Sequence, residues 1–131
     1  MKSLTLTVLP GRLAICRLAA DASLPAGIDR ARFCSVTRTT EELSLVLPEE
    51  MVEAGWPAET GYRALRVLGP LDLGLTGVLA SLAMPLAAAG VSIFALSTYD
   101  TDYILVREGD LERARRALAA AGHEVIEGLR R

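Results

Sequence analysis

Residues 91–106 read Val-Ser-Ile-Phe-Ala-Leu-Ser-Thr-Tyr-Asp-Thr-Asp-Tyr-Ile-Leu-Val, and this stretch decides the fold. Val91 to Ser97 and Tyr103 to Arg107 are β-rich runs, and the polar segment Thr98-Tyr99-Asp100-Thr101-Asp102 between them has the composition of a hairpin connection. Upstream, Val78, Leu79, Leu82, Leu86 and Ala89 recur along one face of a helix, with Gly90 placed to cap its C-terminus. Pro85 lies inside that helix, removes a backbone donor and presses on the carbonyl of Ser81, so a bend is expected there. Downstream, Asp110 is a suitable N-cap for a second helix whose Leu111, Ala114, Leu118 and Ala121 share a face, with Arg113, Arg115 and Arg116 mostly outside it. Two strands complete the pattern: Tyr62 to Leu68, broken by Gly69-Pro70, and His123 to Ile126. The order β-α-β-β-α-β predicts an α+β, ferredoxin-like unit with two helices on one face of a four-stranded antiparallel sheet.

The first half has a different rhythm. Leu4, Leu6 and Val8 alternate with Thr5 and Thr7, Pro10-Gly11 follows as a turn signal, and Arg12 to Leu18 reads as the hairpin partner. Asp21 to Arg30 has a loop composition. Phe33 to Thr39 and Glu42 to Leu47 predict a second hairpin turning near Thr40-Glu41. Pro48-Glu49-Glu50 suits the first turn of a short helix to about Ala54, since proline fits the first helical position and carboxylates fit the positive end of the helix dipole. The division expected is a reduced, mostly β unit over 1–60 and the ferredoxin-like unit over 61–131.

The chain has 131 residues, 51% of them apolar, which suffices for a core at this length. Fourteen basic and sixteen acidic residues give a net charge of −2, without the positive field that nucleic-acid backbones require. No long apolar run or secretory leader is read, so the expectation is a cytoplasmic protein that does not meet a membrane. Cys16 and Cys34 lack metal-ligand spacing and read as reduced core thiols, with a disulfide between neighbouring strands as the alternative. No cofactor or metal is expected. His123, alone and after Gly122 at a helix end, reads as a surface or capping residue. No serine elbow or phosphate-cradling loop is present, and the pairs Glu41-Glu42 and Glu49-Glu50 lie at element ends where solvation explains them, so no catalytic residue is assigned.

Gly69-Pro70-Leu71-Asp72 with Leu75-Thr76-Gly77, then Pro85-Leu86-Ala87, and above all the run from Val91 to Val106 resemble the ACT domains of the CASTOR-like group. That group includes the animal cytosolic arginine sensors and many small bacterial proteins, and is related to the regulatory domains of aspartate kinases. The resemblance implies paired ACT units, here a reduced first one and a full second one. It also implies an amino acid held at an interface between units, and a homodimer. It places the ligand against Ser92 and Ile93 of one unit and against Gly74, Thr98, Tyr99 and Asp102 of the facing one. The facing surface would come from the chain's own first half or from a second chain.

The residues themselves suit such a ligand, whose carboxylate and ammonium lie a short distance apart. Gly74-Leu75-Thr76-Gly77 opens a helix, where unpaired backbone N–H groups favour an anion. Asp102 can accept charge-assisted hydrogen bonds from an ammonium, Thr98 and Ser92 add hydroxyls, and Tyr99 can cover an apolar stem. A plainer reading stands beside this one. Gly74 and Gly77 relieve crowding at a strand-to-helix turn, Asp100 and Asp102 bond their own turn, and Ser92 is a small packing residue. On that reading the chain is a pairing module without a ligand, in which side-by-side association covers the sheet edges. Trp56, between Gly55 and Pro57, reads as an anchor either for packing between the two halves, the preferred reading, or for a partner.

Overall fold

A computed structural model of the protein describes residues 3–69 and 76–127. Within them lie eight β-strands and two α-helices, divided between two compact units. One unit is Gly11–Tyr62; the other is built from the residues on either side of it. The mixed α+β architecture agrees with the pattern read from the sequence.

In the Gly11–Tyr62 unit, β2 (Leu13–Leu18), β3 (Ser35–Arg38) and β4 (Leu43–Pro48) are joined by the first part of β5 (Ala58–Val67) in the order β3-β4-β2-β5. The β3–β4 hairpin turns at Thr40-Glu41 as expected, with Arg38 opposite Leu43. Period-2 alternation puts Ala14 and Cys16 with Leu43, Leu45 and Leu47 on one buried face. The described residues of this unit form no α-helix of their own. Ile28, on a single 3₁₀ turn (Ile28–Arg30), packs into that face, along with Met51, Val52 and the half-buried Trp56. The helix expected from Pro48 to Ala54 is only a 3₁₀ turn, Glu49–Met51, because Val52 is already extended (φ −69°, ψ 129°) and Gly55 has φ 90°. Its Glu49 carboxylate instead takes up the backbone N–H of Gly61 (2.8 Å) and the guanidinium of Arg12 (3.3 Å).

The second unit carries β1 (Thr5–Val8), the end of β5, α1 (Val78–Ala88), β6 (Phe94–Ser97), β7 (Asp102–Arg107), α2 (Leu111–Ala120) and β8 (Glu124–Glu127). Its sheet order is β6-β7-β5-β1-β8. The expected β1–β2 hairpin does not form: β1 lies antiparallel to β5 (Leu6 opposite Val67) and parallel to β8 (Leu6 opposite Val125). Burial explains the choice, since Leu4, Leu6 and Val8 complete one apolar layer with Leu65, Val67, Ile104 and Val106 beneath Leu82, Leu86, Ala114 and Leu118 of the helices. At roughly 25 cal/mol per Å² of apolar surface, that burial outweighs a local turn signal such as Pro10-Gly11.

Both helices end as the glycine signals predict. Gly90 (φ 77°) lets Val91 N–H reach the Leu86 carbonyl (2.9 Å), and Gly122 (φ 97°) lets His123 N–H reach that of Leu118 (2.9 Å), each a left-handed C-terminal cap. Asp110 does not cap α2 with its side chain; its carboxylate accepts from Arg113 (2.6 Å), and a 3₁₀ turn (Glu108–Asp110) leads into the helix. α1 continues through Pro85. Cys16 is buried and its thiol pushed up by that burial, but Cys34 is exposed, so only one of the two is a core thiol.

Candidate functional site

Ser97 faces Asp102 across the mouth of the β6–β7 hairpin, and its hydroxyl donates to the Asp102 carboxylate (2.6 Å). Beyond that pair the chain turns through Tyr99 and Asp100. The N–H of Thr98 donates to the Thr101 carbonyl (2.8 Å), and the Thr98 hydroxyl oxygen accepts the N–H of Thr101 (3.3 Å). A side-chain oxygen thus takes the turn's inward-pointing N–H, the usual service of a threonine at this position. The Thr101 hydroxyl, buried, donates to the Val67 carbonyl at the end of β5 (2.6 Å) and pins the tip to the sheet.

This bonding frees the two aspartates from holding the turn. Asp102 is half-buried and, among the described residues, no cation pairs with it. One carboxylate oxygen is held by Ser97 in a short charge-assisted bond, so the group is oriented while retaining acceptor capacity for a further donor. Thr98 and Asp100 are exposed, and Tyr99 is 81% exposed beside them. Asp102, Thr98 and Tyr99 therefore gather at one end of the hairpin.

Ser92 (exposed) and Ile93 (half-buried, against the core) lie at the other end of β6. Six residue steps, most of them along β6 (Phe94–Ser97), separate Ser92 from Thr98, on the order of 20 Å at strand rise. A free amino acid cannot span that distance, so the two groups do not form one site within a single β6–β7 hairpin. Thr76 is exposed just ahead of Gly77 (φ 79°), which precedes α1. Gly74 and Leu75 lie outside the described residues. The sequence reading missed the two residues that organise the site, Ser97 and Thr101. Ser97 was legible as the register partner of Asp102 once the hairpin was centred on Tyr99-Asp100, whereas the partner of Thr101 is 34 residues away.

β6 is an edge strand, paired with β7 alone among the described residues. No charged residue occurs from Val78 to Ala88, and Met84 (71% exposed) and Leu79 (38%) point outward. No group of three or more His, Cys, Asp or Glu side chains able to hold a metal occurs among the described residues. None of the described helices is long and apolar enough to cross a membrane.

A family model described as an ACT domain matches residues 58–120, and a second, described as an N-terminal domain, matches residues 11–54. The chain is 38% identical over 101 residues to the cytosolic arginine sensor for mTORC1 subunit 1 of Bos taurus, a match covering 69% of this chain and 31% of that protein. It thus spans about a third of the length of the curated sensors it matches. The crystal structure of protein Atu0741 from Agrobacterium tumefaciens is 35% identical, covers 99% of this chain and 97% of its own, and superposes with a TM-score of 0.92. The regulatory subunit of aspartate kinase from Thermus thermophilus shares the fold at 13% identity, with a TM-score of 0.61 over 89% of this chain and 97% of its own.

Proposed function

Because this chain belongs to the ACT-domain family, within its CASTOR-like group, we propose that it is a cytoplasmic regulatory sensor rather than an enzyme. It binds an amino acid or similar small molecule between ACT units contributed by two copies of the chain. The observation that carries this reading is the Asp102 carboxylate, oriented by Ser97, without a cation partner among the described residues, and flanked by Thr98 and Tyr99. An ammonium supplies the missing positive donor, and the tyrosine ring covers an apolar stem. Ser92 and Ile93 lie too far along β6 to join in one copy, and a two-fold pairing sets the Ser92 end of one copy beside the Asp102 end of its partner. The uncharged outer face of α1 supplies apolar surface for that pairing. The ACT-like division of the chain, a reduced unit over 1–60 and a full unit over 61–131, belongs to the same proposal, as do the backbone N–H groups around Gly74, Leu75 and Thr76 as a seat for the ligand carboxylate.

Regulation requires that the ligand favour one arrangement of the units over another, since equal affinity for both shifts nothing. A thermal-shift screen against the twenty amino acids and related metabolites, with Asp102→Ala alongside, tests the reading. A ligand at a hundredfold excess over its Kd adds about 2.7 kcal/mol of stability. A selective rise lost in Asp102→Ala is expected. Mixing Ser92→Trp with Asp102→Ala, each silent alone, should restore part of the rise if the site spans two copies. No rise with any compound defeats ligand sensing. The exposed Leu79 and Met84 then favour the second reading, a pairing module that uses the ACT fold as a surface.

A further inference from the structure

His123 is the only histidine in the chain, and only 7% of it is exposed. The cap of α2 fixes its backbone, and its ring reaches two distant segments. Nδ1 accepts the backbone N–H of Leu4, at the entry to β1 (3.1 Å), and Nε2 lies 3.2 Å from the carbonyl oxygen of Ser81 in α1. The Leu4 amide can only donate and the Ser81 carbonyl can only accept. Both contacts are therefore satisfied by one form of the ring, the neutral imidazole with its proton on Nε2. The Ser81 carbonyl needs such a donor because Pro85, four residues on, has no N–H to give it. A proline within α1 and a histidine after α2 thus complete one hydrogen bond between them.

We propose that His123 is a proton-sensitive clasp holding the start of β1 and the middle of α1 to the α2–β8 connection. A second proton turns Nδ1 into a donor aimed at the Leu4 N–H, so an attraction becomes a repulsion in a buried place and the entry to β1 is released. Among the described residues, the charged groups that share a surface cleft with His123 are Glu112, Arg115 and Arg116 of α2 and Glu124 of β8. The arginines pair with Glu112 and Glu127, and neither α1 nor β1 brings a charged residue, so no single sign dominates and the hydrogen-bond pattern decides. The clasp accommodates only the neutral ring, a restriction that the unfolded chain does not impose, so acid favours unfolding and stability falls as the pH falls.

Thermal unfolding between about pH 7.5 and about pH 5.5 tests this, a range in which histidine is the side chain that ordinarily titrates. The midpoint of the wild-type chain should fall by about 3 °C or more. His123→Gln, whose amide oxygen accepts and whose NH2 donates at any pH, should lose that dependence. Long-range 1H–15N correlation of the single imidazole in the wild-type chain reads the tautomer without any variant, and the neutral Nε2–H form is expected at the upper pH. The Nδ1–H tautomer there, a flat wild-type midpoint, or an equal fall in His123→Gln overturns the clasp.

Discussion

The β3–β4 and β6–β7 hairpins are tied at the tip in the same way and differ in what surrounds the tie. In each, a threonine N–H donates to the carbonyl three residues on, Thr39 to Glu42 (2.9 Å) and Thr98 to Thr101 (2.8 Å). In each, the threonine hydroxyl oxygen accepts the returning N–H, from Glu42 (3.2 Å) and from Thr101 (3.3 Å). The residue that receives the tie is where they part. Glu42 carries a carboxylate already matched by Arg17 (3.2 Å), while Thr101 sends its hydroxyl inward to Val67. At the mouth, Arg38 reaches back to the carbonyls of Ala20 and Ala22, closing the loop of its own unit, whereas the side-chain partner of Asp102 among the described residues is the hydroxyl of Ser97. In the first hairpin Arg38 and Glu42 are matched within their own unit. The second keeps an oriented carboxylate with no counter-ion among the described residues, an arrangement suited to receiving a cation from outside.

The comparison can be broken at three depths. The largest effect belongs to the layers beneath the hairpins: Leu86→Ala in one unit and Leu45→Ala in the other remove fully buried side chains and should each cost about 2–5 kcal/mol in urea unfolding. A cost below about 1 kcal/mol at either position would show that its core relaxes around the void. Next comes the anchored tip. Thr101→Val keeps the shape and deletes the donor to the Val67 carbonyl, for a loss of about 1–3 kcal/mol. Thr39→Val, on an exposed turn, should cost clearly less, and equal costs would erase the distinction drawn between the two tips.

The smallest effect is at Glu50, whose carboxyl is held below its ordinary value by the hydrogen bond from Arg32 (2.8 Å). A folded value lowered in this way contributes stability above the ordinary carboxyl range, lost as the pH falls through the lowered value. The pair is exposed, so Glu50→Gln should flatten only the acid limb of the stability profile and leave the midpoint at neutral pH nearly unmoved. A large shift at neutral pH would mean that this unit depends on its surface charges far more than its apolar face suggests.

The elements that could be read in advance are those whose cause is local. Alternation marked β4 through Leu43, Leu45 and Leu47, the spacing of Leu82, Leu86, Ala114 and Leu118 marked the helices, and Gly90 and Gly122 sit where a left-handed cap is needed. The hairpin that carries Asp102 was legible for the same reason. Signals that looked local and failed were those overruled by distant partners. Pro10-Gly11 promised a hairpin, but Leu6 found Val67 and Val125 instead. His123 looked like a surface cap because nothing near it in sequence shows that Pro85 leaves a carbonyl to be satisfied.

What the sequence determined by itself is therefore the kind of each element and the chemistry on offer: strand or helix, cap or turn, a carboxylate beside hydroxyls and an exposed ring. These follow from periodicity and backbone preference within a few residues. Only the tertiary structure decided that β1 would lie between β5 and β8, that Thr101 would be pinned to Val67, and that a buried histidine would complete a helix interrupted by proline. Apolar burial rewards any partner that completes a layer, and a buried polar group must find its bond wherever one is left open, so neither choice is written in the neighbouring residues.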